Sequence, residues 1–327
     1  MYNNIISGIL IMVLCTFNFV NNLNQSLHLV KCIPDISSGI SNDFITTAHD
    51  LEFYADEYFI ADGFKDFIKV YDNTGCYIRT IGRSGHGPGD INSVYDFSID
   101  NANGNLYCSE QGNNRITIFE KTGKYLGAYK TYKAPLELVV SNGKLYCTNL
   151  NESKKTLFSF YNEKGEIIKF FGKMFVEDIN NVKFKEDLYS NCRMILTEEY
   201  LIVVYSYIPF IQFFDRNNCD LKKTITISEF LDVFKNNIVE GDRLSKGNRI
   251  KIKRWNNGAW VDRNNIYIYI PQKGNLINVY SYSGKLLQKI AHQAKYKDIY
   301  PQDLLKVKDG LFYFTDYDDG QIKIYSK

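Results

Sequence analysis

The chain has 327 residues, with Lys+Arg 39 against Asp+Glu 37 and a formal net charge of +2. That balance offers no global field toward nucleic acid or an acidic partner, and 45% hydrophobic content excludes disorder. Aromatic content of 15%, from Tyr 25, Phe 22 and Trp 2, is the feature that needs a physical explanation.

Ile5 to Val20 is mostly apolar, interrupted by Ser7, Gly8, Thr16 and Asn18. The run falls short of the ~20 residues of a comfortable membrane span. It fits the apolar region of an export signal better, with polar Asn21 to Ser26 behind it. No Lys or Arg precedes it and no Ala-x-Ala-like site follows. Cleavage, lipid attachment at Cys15, an uncleaved anchor and a buried N-terminal element therefore all stay open. Residues 1–25 are expected to be an export signal or anchor, which places the protein in the periplasm, at the cell surface or outside the cell. Residues 26–327 are expected to form one domain.

Seven cysteines (Cys15, Cys32, Cys76, Cys108, Cys147, Cys192 and Cys219) make no C-x-x-C pair. His28, His49, His86 and His292 are scattered, so no metal site is expected, and the cysteines read as small buried hydrophobes.

The rest of the chain repeats a unit of short strands. Its first copy runs Tyr58–Asp62, Phe67–Asp72, a turn at Gly75, then Tyr77–Gly82. The second runs Asn105–Glu110, Arg115–Glu120, Gly123, Tyr125–Tyr129. Four further copies centre on Leu145–Thr148, Tyr200–Tyr205, Ile266–Ile270 and Leu311–Asp316. An apolar stretch precedes each unit, such as Val94–Ile99 or Leu136–Val140. Each unit thus has four antiparallel strands, a to d, whose turns carry the Asn-Gly, Thr-Gly and Lys-Gly chemistry of tight reversals. A four-stranded sheet alone buries neither face. Arranged radially, six such sheets pack on one another with aromatics in the wedges between them. The expected fold is all-β, a six-bladed β-propeller. The sixth unit lacks strand d, and Ser26–Cys32 is expected to supply it and close the ring.

Glu110-Gln111-Gly112-Asn113-Asn114-Arg115-Ile116-Thr117-Ile118-Phe119, followed by Gly123-Lys124-Tyr125-Leu126, resembles an NHL-type propeller repeat. Ile81 to Asp90 resembles a loop typical of the secreted six-bladed β-propeller proteins of Bacteroidetes. The resemblance spans about residues 27 to 327 and implies the fold; propellers host many functions, so it implies no activity.

In a propeller the b–c loops and d–a connections share one face, around the mouth of the central channel. Equivalent positions there are Asp62, Glu110, Asn149, Tyr205, Pro271 and Asp316. Acidic Asp316, Asp62 and Glu110 fall on consecutive blades and read either as a carboxylate cluster for a cation, sugar or amine, or as local caps of loop amides. In the second reading Glu110 pairs with Arg115. The Gly82–Asp90 loop offers Arg83 and His86 as ligand contacts, or serves as a shaped connector. Asp316-Tyr317-Asp318-Asp319-Gly320 approaches a calcium loop but has Gly one position early and no distal Glu. Ile227–Phe234 reads as a short helix capped by Ser228, leading to a cationic segment from Arg243 to Arg254. Trp255, Trp260, Tyr205 and Tyr207 offer a sugar-stacking platform or wedge packing. No G-x-S-x-G, H-E-x-x-H or Cys–His signature occurs.

The ligand-site candidates are therefore Asp62, Arg83, His86, Glu110, Arg115, Tyr205, Asp316 and Asp318. The expected function is an exported binding module for a small ligand, glycan, peptide or protein partner at the top face, with no nucleic-acid partner and with membrane attachment through the N-terminus open. No cofactor is expected, calcium at Asp316–Gly320 being the one alternative. A carboxylate-dependent hydrolase or lyase at the channel mouth is the competing class.

Overall fold

The computed structural model describes residues 25–34, 45–62, 66–131, 135–151, 153–174, 188–244, 253–271, 276–292, 303–316 and 320–327. Its first strand is β1 (Gln25–Ile33). Blade one is β2 (Ala48–Tyr54), β3 (Glu57–Asp62), β4 (Phe67–Asp72) and β5 (Tyr77–Ile81); blade two is β6 (Val94–Asp100), β7 (Asn105–Glu110), β8 (Arg115–Phe119) and β9 (Tyr125–Lys130). Blade three is β10 (Leu138–Ser141), β11 (Lys144–Asn151), β12 (Thr156–Tyr161) and β13 (Ile167–Lys173); blade four is β14 (Cys192–Leu196), β15 (Tyr200–Tyr205), β16 (Phe210–Asp215) and β17 (Leu221–Thr226). Blade five is β18 (Ala259–Asp262), β19 (Asn265–Ile270), β20 (Leu276–Ser281) and β21 (Leu286–His292). Blade six contributes β22 (Leu304–Lys308), β23 (Leu311–Asp316) and β24 (Gln321–Ser326). Within each blade the strands pair antiparallel in chain order.

β1 closes the ring. Residues His28 to Ile33 pair antiparallel with β24, from Ser326 to Ile322, supplying the missing fourth strand of blade six. One detail was not expected: Gln25 to Leu27 also pair in parallel with Ile290 to His292 of blade five. The last two blades are thereby joined into one eight-stranded sheet.

Local chemistry sets the turns. In four blades the c–d reversal places Gly75, Gly123, Gly165 or Gly284 at φ 91, 96, 77 and 85, the left-handed region that side chains avoid. Each of these glycines donates its N–H to a carbonyl three residues back, as Gly123 does to Glu120 at 2.8 Å. Blade four uses Cys219 at φ 59 instead.

Among the described residues the apolar core consists of six clusters, each drawn from two adjacent blades. The cluster of Ile33, Leu51, Tyr71, Leu305 and Ile322 joins blade six to blade one. Rings fill these wedges edge to face, as in Phe158–Phe214 at 5.9 Å, Tyr267–Phe312 at 5.7 Å and Phe53–Tyr313 at 4.9 Å. Each fully buried Phe contributes roughly 1.5–3 kcal/mol by burial alone, so the aromatic excess is largely the interior of the ring. Cys108, Cys147, Cys192 and Cys219 are buried and form no disulfide.

The helix differs from its expected form. A 3-10 turn at Ser228–Phe230 precedes α1 (Leu231–Leu244), and the capping position falls on Ile227 with no side-chain cap. Ser228 lies inside the first turn, so its hydroxyl cannot cap it. Phe230 anchors the turn instead, buried at 5.2 Å from the Trp255 ring. Most of the cationic segment after it, Lys246, Arg249 and Lys251 included, lies outside the described residues. Among the described residues no helix is long and apolar enough to cross a membrane.

The axial channel as candidate functional site

Strand a of every blade lines the axis, with one edge laddered to strand b and the other toward the channel. Those free edges still carry N–H groups that need acceptors. Side chains of the neighbouring blade supply them. Leu138 N donates to Asp96 Oδ2 at 2.7 Å, Val140 N to Ser98 Oγ at 3.2 Å, and Met194 N to Glu137 Oε2 at 3.4 Å.

Register places a charged layer across this channel. Asp50, Asp96 and Arg193 stand opposite Ala61, Ser109 and Val204, and the carbonyl of Glu137 accepts from Thr148 N. These are the same position in blades one to four. The equivalents in blades five and six are Gly258 and Asp303, whose carbonyls accept from Tyr269 N and Thr315 N. Gly258 has no alternative here: at φ 108, a Cβ would lie 2.2 Å from the Leu304 carbonyl oxygen. Arg193 reaches across the axis from blade four. It donates to Asp50 of blade one, and its Nη1 lies 3.5 Å from Glu137 Oε1 and 3.7 Å from Asp96 Oδ1. One guanidinium thus ties four blades. A second pair lies beside it, Lys306 Nζ on Glu52 Oε2, with the ammonium 5.0 Å from the Trp260 ring centroid.

Burial sets the protonation of this layer. It pushes the Glu137 carboxyl up to about 7 against the opposing pull of Arg193. Asp96 is held well above the usual carboxylate range by burial and by the nearby Glu137 and Asp50 charges. Glu52 is raised by burial too, partly offset by Lys306. Burial disfavours the Arg193 charge, but its three carboxylate neighbours outweigh that and hold its pKa well above the ordinary value. More carboxylates than cations occupy the layer, and burial favours the protonated form of Glu137, Asp96 and Glu52.

The layer divides the channel. On the b–c side is a chamber of about 230 Å³ lined by His49, Tyr95, Asn191, Arg254 and Asp303, with Asp96, Glu137 and Arg193 as its floor. β-bulges at the start of β2 and β6 turn His49 and Tyr95 toward it, their rings 5.9 Å apart. Burial lowers the His49 pKa, against the attraction of Asp62 and Asp50, which favours the neutral imidazole. Arg254 is aimed by the Tyr207 hydroxyl at 3.3 Å and Asn191 Oδ1 at 3.2 Å. On the a–b side the channel widens to about 580 Å³, past Trp260, Lys306 and Asp262. Among the described residues no three His, Cys, Asp or Glu side chains are grouped to hold a metal ion.

The residues singled out from sequence lie elsewhere on the same face. Asp62 is fully buried and accepts Thr46 N at 2.8 Å and Thr47 N at 3.1 Å. Glu110, also fully buried, accepts Asn92 N at 3.0 Å, Arg115 Nε at 2.9 Å and the Thr117 hydroxyl. Arg115 continues to the carbonyls of Gly87 and Asp90 at 3.0 and 2.7 Å, pinning the Gly82–Asp90 loop. His86 Nδ1 meets Asn113 Oδ1 at 2.7 Å, and Arg83 Nε meets Asp90 at 2.5 Å. Glu110, Arg115, His86 and Arg83 thus share one loop cluster, which does not border the two chambers. Asp316 pairs with Lys323 Nζ at 2.5 Å, and Asp318 lies outside the described residues. Tyr205 is buried, its hydroxyl on Gln212. The stacking platform is not formed: Trp255 is buried and its Nε1 donates to the carbonyls of Tyr205 and Ile208, while Trp260 faces the channel.

Asp62→Ala is expected to lower stability by about 1–3 kcal/mol in denaturant unfolding, because two half-buried amides lose their acceptor. The channel should keep its ligand properties.

What the sequence reading missed was the layer itself. Its signal was present: Asp50-Leu51-Glu52, Asp96-Phe97-Ser98 and Lys306-Val307-Lys308 alternate polar with apolar on the strand nearest the axis, the pattern of one buried face and one channel face.

A family model described as DUF5128, 6-bladed beta-propeller, matches residues 41–238. No curated protein gives a significant sequence match. Among solved structures, a "putative exported protein" of Bacteroides fragilis aligns with a TM-score of 0.63 at 10% identity, over 93% of this chain and 98% of that one. The Cps50 (Swd1) beta-propeller domain of Myceliophteria thermophila gives 0.53 at 10% identity, over 92% and 99%. Chaetomium thermophilum Raptor gives 0.54 at 9% identity, over 85% of this chain and 24% of that chain. At these identities the likeness is one of fold.

Proposed function

We propose that this chain, which belongs to the DUF5128 family of 6-bladed beta-propellers, is an exported binding module that holds the amino group of a small glycan or peptide in the b–c chamber of its channel. The observation that carries this reading is the charged layer, where Asp50, Asp96 and Glu137 outnumber Arg193 and whose Asp96 and Glu137 form the chamber floor. An ammonium entering there replaces protons on Glu137 and Asp96 and gains partly buried charge-assisted hydrogen bonds. Arg254, on the chamber wall, suits the carboxylate of a zwitterion. A volume of about 230 Å³ is below the usual range for drug-sized ligands and fits a single sugar ring or a dipeptide. Export is supported by the apolar run at Ile5–Val20 and by the B. fragilis structural neighbour described as exported.

The enzymatic alternative retains one supporting observation, a carboxyl near pKa 7 beside a cation, which suits a general base. Asp62, Glu110 and Asp316 do not serve it, since each is engaged away from the chambers.

Matched pairs test the binding reading: glucosamine against N-acetylglucosamine, and diglycine against N-acetyldiglycine, by calorimetric titration. The amine-bearing member of at least one pair is expected to bind at least about 10-fold more tightly, the difference vanishing in Glu137→Gln but not in Asp62→Asn. Equal affinity within both pairs would remove the amine from the account. Turnover of either glycan or peptide would favour the hydrolase.

A further inference from the structure

The geometry points to Lys306, at the a–b end of the channel, as a nucleophilic amine that captures a small aldehyde as an imine, the open-chain form of a reducing sugar being the class it fits. Register places a second layer here, two strand-b residues nearer the a–b turns than the charged one. Its members are Glu52, Ser98, Val139, Ile195, Trp260 and Lys306, each paired across to strand b of its own blade. All six border the cavity of about 580 Å³. Of the six, only Glu52 and Lys306 carry an acid or a base, and they stand on adjacent blades, one and six.

Lysine is rarely buried as far as Lys306, which is 3% exposed. Its Nζ donates to Glu52 Oε2 and lies 5.0 Å from the Trp260 ring centroid and 5.5 Å from that of Phe53. An ion pair that only ties blade six to blade one needs no open cavity beside it, and arginine would serve it as well. Here the pair borders a cavity large enough for a sugar. Polar groups that reach solvent at its rim, Asn101, Glu198 and Asp262, suit sugar hydroxyls. Desolvation is also what activates lysines that attack carbonyl groups.

The chemistry needs only the pair and the aldehyde. Burial raises the Glu52 carboxyl, so it can take a proton from the Lys306 ammonium and leave a neutral amine. The nitrogen lone pair then forms a C–N bond to the aldehyde carbon, and the carbonyl π pair passes to oxygen. One proton from nitrogen and one from Glu52 leave with that oxygen as water. The products are a protonated imine and the Glu52 carboxylate, so the ion pair is restored. The Trp260 and Phe53 rings attract the ammonium, which makes the free amine the transient form, and they hold the iminium cation in its place.

The test treats the full chain at pH 7 with glyceraldehyde and cyanoborohydride, which reduces an imine to a stable secondary amine, followed by peptide mapping. Lys306 is expected to be labelled at least about 10-fold faster than Lys308, the exposed lysine on the same cavity. Glu52→Gln should slow labelling of Lys306 at least about 10-fold and leave Lys308 unchanged. The thermal midpoint shows whether that variant is folded, and the Lys306 to Lys308 ratio in the parent decides the proposal without it. Labelling in order of exposure, with Lys306 last, would overturn the proposal and leave a pair that only joins two blades. An unchanged Lys306 rate in folded Glu52→Gln would overturn it too. Neither result bears on the amine site in the b–c chamber, across the charged layer.

Discussion

Arg193→Met is expected to lower the stability of the protein by about 3–5 kcal/mol at pH 8, the range found when one partner of a buried ion pair is removed. Arg193 attracts Asp50, Glu137 and Asp96 from three other blades and offsets part of their charge. Without it their charges face one another in a partly buried layer. The loss should shrink at pH 5, where the raised carboxyls of Glu137 and Asp96 hold protons and fewer charges remain uncompensated. Denaturant unfolding at the two pH values checks both the size and the trend. A loss that is small at both values would mean that Arg193 is not the electrostatic keystone of the ring.

The intact protein should lose stability as pH rises from about 4.5 to above 7. Glu137 has a folded pKa of about 7 against an ordinary 4.5. Between those values the folded chain holds a proton that the unfolded chain has released, so raising the pH favours unfolding. Its stabilising contribution is complete below the unfolded value and gone above the folded one. The change from this group is on the order of 3 kcal/mol, and the raised Asp96 and Glu52 carboxyls act in the same direction. Half-buried carboxylates at the outer turns lowered by local hydrogen bonds, Asp72 by the Thr74 hydroxyl and Asp215 by the Asn217 amide, have the opposite sign and act below this window. Glu137→Gln should flatten the profile and be more stable than the parent at pH 8. Denaturant midpoints measured from pH 4.5 to 8.5 on both proteins decide it, and a parent profile that is flat or rising would contradict the protonated layer.

The fold was legible because its signals are local. Asn105–Glu110, Tyr200–Tyr205 and Leu311–Asp316 form strands over the residues their patterns indicate, since alternation and glycine turns act within a few residues. The closing role of β1 followed from counting strands against sheets. The Ser228 cap failed because a 3-10 turn shifted the helix start, and that shift depends on where Phe230 finds Trp255, a tertiary contact. The site was less legible for a related reason. Asp62, Glu110 and Asp316 were conspicuous at loop mouths, yet burial gives them amides and cations to hold. The charged layer comes from four blades, its members more than 140 residues apart at the extremes, as in Asp50 and Arg193. Only the radial arrangement brings those positions to one axis, so their convergence is a property of the closed ring rather than of any segment.

The central claim is that a ligand's positive charge replaces protons in the channel floor. Calorimetric titration of the protein at pH 7 with the amine-bearing probe that binds, repeated in two buffers of different ionisation enthalpy, measures this directly. Net proton release on binding is expected, with both release and binding lost in Glu137→Gln. Binding without proton exchange, or binding that survives Glu137→Gln unchanged, would contradict the account.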